Sequence, residues 1–177
     1  MLNDLYQNDK YHIKQNIYIS LEIINNQSIW KKIETLFDKT TLELISYVIK
    51  QVFKEKVVIS ILLTDKKNMK KINKKWRGIN QSTNVLSFSN EKKLVNNRKI
   101  LLGDIAFSYE TIFNEAKVRN INFVNHFRHL FLHGTLHLMG YDHDCDIARN
   151  KMEKIEIETL SRFKIKNPYL IYRNGKS

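Results

Sequence analysis

The chain has 177 residues, with 30 Lys and Arg against 18 Asp and Glu, a formal net charge of +12 and a pI near 9.7. One proline and five glycines exclude a linker-rich or low-complexity chain, and the lone cysteine, Cys145, excludes an intramolecular disulfide and fits a reducing compartment. No stretch approaches the roughly 20 apolar residues of a membrane span, and Met1–Gln7 lacks a basic start followed by an apolar run, so neither a membrane anchor nor a signal peptide is expected and the cytoplasm is the expected address.

The length suits one domain. The positive excess suits an anionic partner such as nucleic acid, although solubilising surface lysines would produce the same balance. Residues 1–16 are polar and mixed and read as an N-terminal extension, followed by a single domain over 17–163 and a basic C-terminal tail over 164–177. Ile17, Ile19, Leu21 and Ile23 alternate with polar residues, a strand pattern. Ser28 is positioned to cap a short helix bearing Ile29, Ile33, Leu36 and Phe37, and a second helix is expected after Thr40 or Thr41. The β-branched run Val57–Leu63 predicts a buried central strand. From Thr64 or Asp65 a helix is expected with Met69, Ile72 and Trp76 inward and Lys66, Lys67, Lys70, Lys71, Lys74 and Lys75 outward. That charged face is either simply solvated or a stripe for an RNA backbone.

Next come Trp76-Arg77-Gly78 and the string Ser82-Thr83-Asn84-Val85-Leu86-Ser87-Phe88, whose end predicts a short strand. A polar connection is expected over 89–99, then a strand over Ile100–Phe107 pairing antiparallel with the first. It contains Leu102-Gly103-Asp104-Ile105, where a glycine inside a strand marks a close approach by another group. Asp104 is expected to orient a histidine or an arginine. Ser108 is a candidate N-cap for the helix that follows.

A further helix, beginning near Ile121 or Asn122, carries His126, His129, His133 and His137, which at ~100° per residue fall on one stripe. Its end reads His133-Gly134-Thr135-Leu136-His137-Leu138-Met139-Gly140-Tyr141-Asp142-His143, the spacing H-x-x-x-H-x-x-G-x-x-H. His133 and His137, four apart, share a face. Gly140 sits where a left-handed turn would end the helix and swing His143 toward the same centre. Three imidazoles with one open position make a catalytic zinc site, so His133, His137 and His143 are the expected ligands of one Zn²⁺ per chain. His126 is expected to be structural. The spacing matches the metzincin protease signature, except that Gly134 stands where those proteases carry the glutamate base. A glutamate built at 134 is expected to leave the metal in place and to lie close to it. A final helix from about Ile147 to Phe163 presents Met152, Ile155, Glu156 and Leu160 at helical spacing.

The histidine string, with Arg77 shortly before Thr83–Phe88 and the Leu102–Ile105 string, resembles the YbeY family of bacterial zinc-dependent endoribonucleases over roughly residues 56–163. The order of the predicted elements gives an α+β fold, a mixed four-stranded sheet packed with helices, with the histidine helix across it in a zincin-like arrangement. The resemblance implies cleavage of single-stranded RNA in rRNA processing, at the 16S rRNA 3′ end, and ribosome quality control. Small-subunit ribosomal proteins and an Era-type GTPase are the implied partners. Arg77 matches an arginine that lines the family's active-site cleft, and a guanidinium can grip phosphate oxygens with paired donors. Arg77 and the metal-binding His133 are thus the expected catalytic residues. His129 matches a position where the family often has a histidine, which implies a supporting or substrate-contacting role. The family's aspartate is Asn84 here, an amide that can donate a hydrogen bond but cannot act as a base. The rival readings are an rRNA-binding assembly factor with structural zinc, and a peptidase, against which Gly134 counts.

Overall fold

The computed structural model describes residues 10–16, 18–25, 29–30, 33–95 and 99–170. In chain order the elements are β1 (Lys10–Gln15), β2 (Ile19–Asn25), α1 (Ile33–Leu36), α2 (Lys39–Ile49), β3 (Lys56–Thr64), α3 (Lys66–Arg77), β4 (Val85–Val95), β5 (Lys99–Ser108), α4 (Tyr109–Val118), α5 (Phe123–Leu138) and α6 (Asp146–Arg162). The strands form one mixed sheet of five in the order β1-β2-β3-β5-β4. β2, β3 and β5 run parallel, while β1 and β4 are antiparallel additions at the two edges. The class is α+β, but the expected strand count of four is corrected to five. The additional strand, β1, lies in the polar segment before Ile17 and pairs Lys10 with Asn25 through Gln15 with Ser20. An edge strand does not need two apolar faces, so its sequence carries no hydrophobic alternation to read. Ser28 lies outside the described residues.

β3 is central, as its β-branched run predicts, with Val57, Ile59, Ile61 and Leu63 turned to one face and Leu62 to the other. The first face carries the larger core. There Phe127 and Phe131, one helical turn apart on α5, pack against Phe107 of β5 and Phe37, with ring centroids 4.8–5.9 Å apart. Burial of each ring contributes about 1.5–3 kcal/mol. On the second face Met69 and Ile72 of α3 cover Ile24, Leu62, Leu86 and Ala106. α3 starts where the Asp65 carboxylate accepts from the Asn68 amide (2.7 Å) and stops at Gly78, in the left-handed conformation at φ +75°. β4 runs on to Val95 and β5 begins at Lys99, so much of the expected polar connection is strand.

The expectation of a close approach at Gly103 holds, and two elements make it. A Cβ there would lie 2.3 Å from the Phe88 carbonyl oxygen of β4 and 2.9 Å from the Leu138 side chain of α5, at a φ of +152°. Gly103 therefore sets both the bulged register of β4 on β5 and the seat of the end of α5. Gly78 occupies open space. We expect Gly103→Ala to destabilise the fold by roughly 3 kcal/mol, combining strain with overpacking, and Gly78→Ala by about 1 kcal/mol. Urea unfolding of both variants checks the order, and equal losses would dismiss the close approach as a constraint.

Candidate metal centre

α5 begins at the N-cap Asn122, whose side chain accepts from the Asn125 amide at 3.0 Å. It ends in a Schellman turn, with the Gly140 amide donating to the His137 carbonyl and the Tyr141 amide to the Leu136 carbonyl, each at 3.0 Å. Gly140 takes φ +94°, a conformation glycine adopts without a Cβ penalty. The turn brings His143 back beside the helix, so that one ligand nitrogen from each of His133, His137 and His143 lies within 4.8 Å of the others. The expected convergence is present.

The hydrogen bonds of two of the rings, His133 and His137, fit a metal. His137 Nδ1 donates to the Tyr141 carbonyl (3.0 Å), and His133 Nδ1 faces Glu156 Oε1 (2.8 Å). A neutral imidazole with its proton on Nδ1 keeps a lone pair on Nε2. Those two Nε2 atoms sit 3.1 Å apart. Two lone pairs at that distance repel unless a cation lies between them, and ligands about 2.0–2.1 Å from a tetrahedral ion stand at nearly this separation. Burial, and then the neighbouring His133 and His143, hold the His137 imidazole below its ordinary pKa. It is neutral, as a ligand must be.

Glu156 was legible only as a helical position in the sequence. In the structure it is fully buried and is the hub of the centre. Its Oε1 faces His133, while its Oε2 faces His129 Nε2 (3.3 Å) and accepts from the Tyr169 hydroxyl. Burial alone would raise this carboxyl, but the hydrogen bonds from His129 and His133 outweigh it and hold the pKa at about 2. The available signal was an acid in the middle of the apolar stripe Met152, Ile155 and Leu160 on α6. His129 thus supports the centre through a carboxylate shared with a ligand. His126 is apart from it, with Nε2 2.8 Å from Glu115 Oε2. The Asn84 amide donates to both oxygens of the same Glu115, at 3.1 and 3.0 Å. An aspartate in its place would set two carboxylates face to face, so this substitution is intelligible locally.

The structure also places two neighbouring positions. Gly134 is buried against the sheet, and a Cβ there would meet Ser87 Oγ at 2.8 Å and Ile105 Cδ1 at 3.3 Å. Position 134 therefore faces β4 and β5, and a glutamate there would have to displace the Ser87 and Ile105 side chains. Asp104 is buried on the sheet face it shares with Ala106, the face that α3 covers.

Arg77 is exposed at the end of α3, on the other side of the sheet from α5. Its neighbour Trp76 packs on Phe88 at 6.0 Å, while the adjoining Ser87 lies against Gly134. Arg77 and the histidines thus flank one edge strand, β4. Nearer the ligands is Arg149, missed in the sequence, which with His133, His143, Met152, Glu153 and Tyr169 lines a cavity of about 190 Å³. Its guanidinium donates to Asp146 at 2.7 Å and is half-exposed.

Because Glu156 holds His133 and two further donors, we expect Glu156→Ala to weaken metal binding about 10–100-fold, whereas Glu115→Ala leaves it unchanged. Competition with a chromogenic chelator measures both, and equal affinities would remove Glu156 from the centre.

Comparison with known proteins follows from this geometry. The family described as Endoribonuclease YbeY matches residues 22–164. The Endoribonuclease YbeY of Bartonella quintana (strain Toulouse) is 37% identical over 158 residues, covering 85% of this chain and 97% of that protein. The Endoribonuclease YbeY of Bartonella henselae (strain ATCC 49882 / DSM 28221 / CCUG 30454 / Houston 1) is 36% identical over 154 residues, with the same coverage. The solution structure of TM1509 from Thermotoga maritima aligns with a TM-score of 0.54 at 23% identity, over 89% of this chain and 99% of that one, and shows the same fold. The chain belongs to the YbeY family of endoribonucleases and is an RNA-cleaving hydrolase.

Proposed function

We propose that the chain is a zinc-dependent, single-strand-specific endoribonuclease of rRNA processing, acting at the 16S rRNA 3′ end, with His133, His137 and His143 as the zinc ligands. The observation that carries the reading is the pair of Nε2 atoms 3.1 Å apart, each left with a lone pair by the hydrogen bond on its own Nδ1. Three imidazoles favour zinc over harder cations. Zinc held there supplies a Lewis acid for a phosphoryl oxygen and a source of hydroxide at neutral pH. The protein's own part is positional and electrostatic. Glu156 and the Tyr141 carbonyl fix the His133 and His137 rings, and Arg149 at the cavity wall offers paired donors to a phosphate. Arg77, across β4, stabilises charge on the phosphodiester from the other side of the strand. The packing of position 134 against Ser87 and Ile105 counts against a carboxylate base there, and a phosphodiester, already charged, is served by cations.

The lysine face of α3 and the net charge of +12 favour a polyanion over an extended peptide. Among the described residues no helix is long and apolar enough to cross a membrane. Cytoplasmic location, small-subunit ribosomal proteins and an Era-type GTPase complete the proposal by family resemblance.

The parent should bind one zinc per chain and cleave single-stranded RNA but not duplex. His137→Ala should lose most of the metal and His126→Ala should retain it, as read by elemental analysis. Metal unchanged in His137→Ala would overturn the ligand set. Arg77→Ala and Arg149→Ala should both keep zinc and lower cleavage at least tenfold, with Arg→Lys restoring it only in part. Parental rates in either variant would return that arginine to the ordinary surface.

A further inference from the structure

The apolar stripe of α3 runs out of the core into solvent. Met69 and Ile72 are 0% and 4% exposed, but the next residue of the stripe, Trp76, is 40% exposed. Its indole is the largest side chain of the helix and rests on Phe88 of the edge strand β4, with ring centroids 6.0 Å apart. Phe88 is next in the chain to Ser87, which lies against Gly134 of the histidine helix. An aromatic ring of this size contributes chiefly by being covered, so one left open beside the site strand calls for a partner.

The surroundings of the ring say which partner. Lys75 Nζ stands over the indole, 5.2 Å from its centroid, and Arg77 follows in the chain. From Lys66 to Arg77 the helix carries six lysines, one arginine and no acidic residue. An acidic protein surface would answer the lysines and not the indole, and an apolar one would answer the indole and leave the lysines without counter-charge. A single strand of RNA answers both, because it presents phosphates and the open faces of unpaired bases together. A duplex keeps its base faces stacked inside.

We propose that Trp76 is a stacking platform for one base of the single-stranded RNA, with Lys75 and Arg77 on the phosphates beside it. The inference rests on the RNA-cleaving reading of the metal centre. The base takes the indole face over which the Lys75 ammonium lies in the free protein, and the flexible lysine moves to the phosphate. Stacking reads no hydrogen-bond pattern, so the platform accepts every base and anchors the strand at β4 without choosing its sequence.

Tryptophan emission reads this ring directly. The other tryptophan of the chain, Trp30, is 2% exposed, with Nε1 donating to the Thr64 carbonyl at 2.9 Å. Titrating a 2′-O-methyl oligoadenylate into the zinc-loaded full chain should quench the Trp76 emission, whereas dextran sulfate, a polyanion without bases, should leave it in place. Trp76→Leu keeps an apolar cover on Phe88 but has no ring. It should lose the quenching, bind the oligonucleotide about tenfold more weakly and raise KM for single-stranded RNA by the same factor, with zinc content at the parental level. Trp76→Phe, with a smaller ring, should recover most of that affinity. Equal quenching by dextran sulfate, parental affinity in Trp76→Leu, a loss confined to kcat, or a Trp76→Phe no better than Trp76→Leu would each overturn the platform, and each leaves the cleavage reading standing in a parent that cleaves RNA. Quenching by the oligonucleotide in a parent that cleaves no RNA would support the platform and count against the cleavage reading alone.

Discussion

The centre depends on one buried carboxylate. Glu156 has no exposed surface, and an unpaired charge there would be untenable. It is tolerable because His129, His133 and Tyr169 converge on it from α5 and from the segment after α6. The same bonds fix His133 in the tautomer that leaves Nε2 for a metal. The packing of α6 on α5 and the coordination chemistry are thus one requirement. The residue that joins them is not a ligand.

A second constraint is the closeness of α5 to the sheet. Gly103 and Gly134 face each other's elements, the first beneath Leu138 of the helix and the second against Ser87 and Ile105 of β4 and β5. Side chains at either position would lift the helix end that holds His133 and His137. Gly134 therefore has a packing reason, independent of chemistry, to stand where related metal-binding helices carry a general base. A fold that sets its helix this close to the sheet leaves little room for that carboxylate.

The cations are divided by the edge strand. The lysines and Arg77 belong to α3 on one side of the sheet, and Arg149 lies beside the histidines on the other. A single-stranded polyanion lying over β4 would meet both sets.

Local sequence decided the parts that local physics controls. The buried run of β3, the caps Asp65, Ser108 and Asn122, the antiparallel β4–β5 pair, the left-handed Gly140 and the convergence of His133, His137 and His143 all follow from residues a few positions apart. Ser108 stands at its cap position without a side-chain cap bond, its hydroxyl meeting Thr111 instead. What the sequence could not decide depends on partners distant along the chain. β1 is a strand because β2 offers an open edge, not because its own residues alternate. Glu156 becomes the hub because it is 23 positions from His133 in sequence and 2.8 Å from it in space. Gly134 faces Ser87 and Ile105 because the seat of the helix on the sheet assigns it those neighbours. Spacing along one helix places ligands, but only tertiary packing chooses what stands behind them.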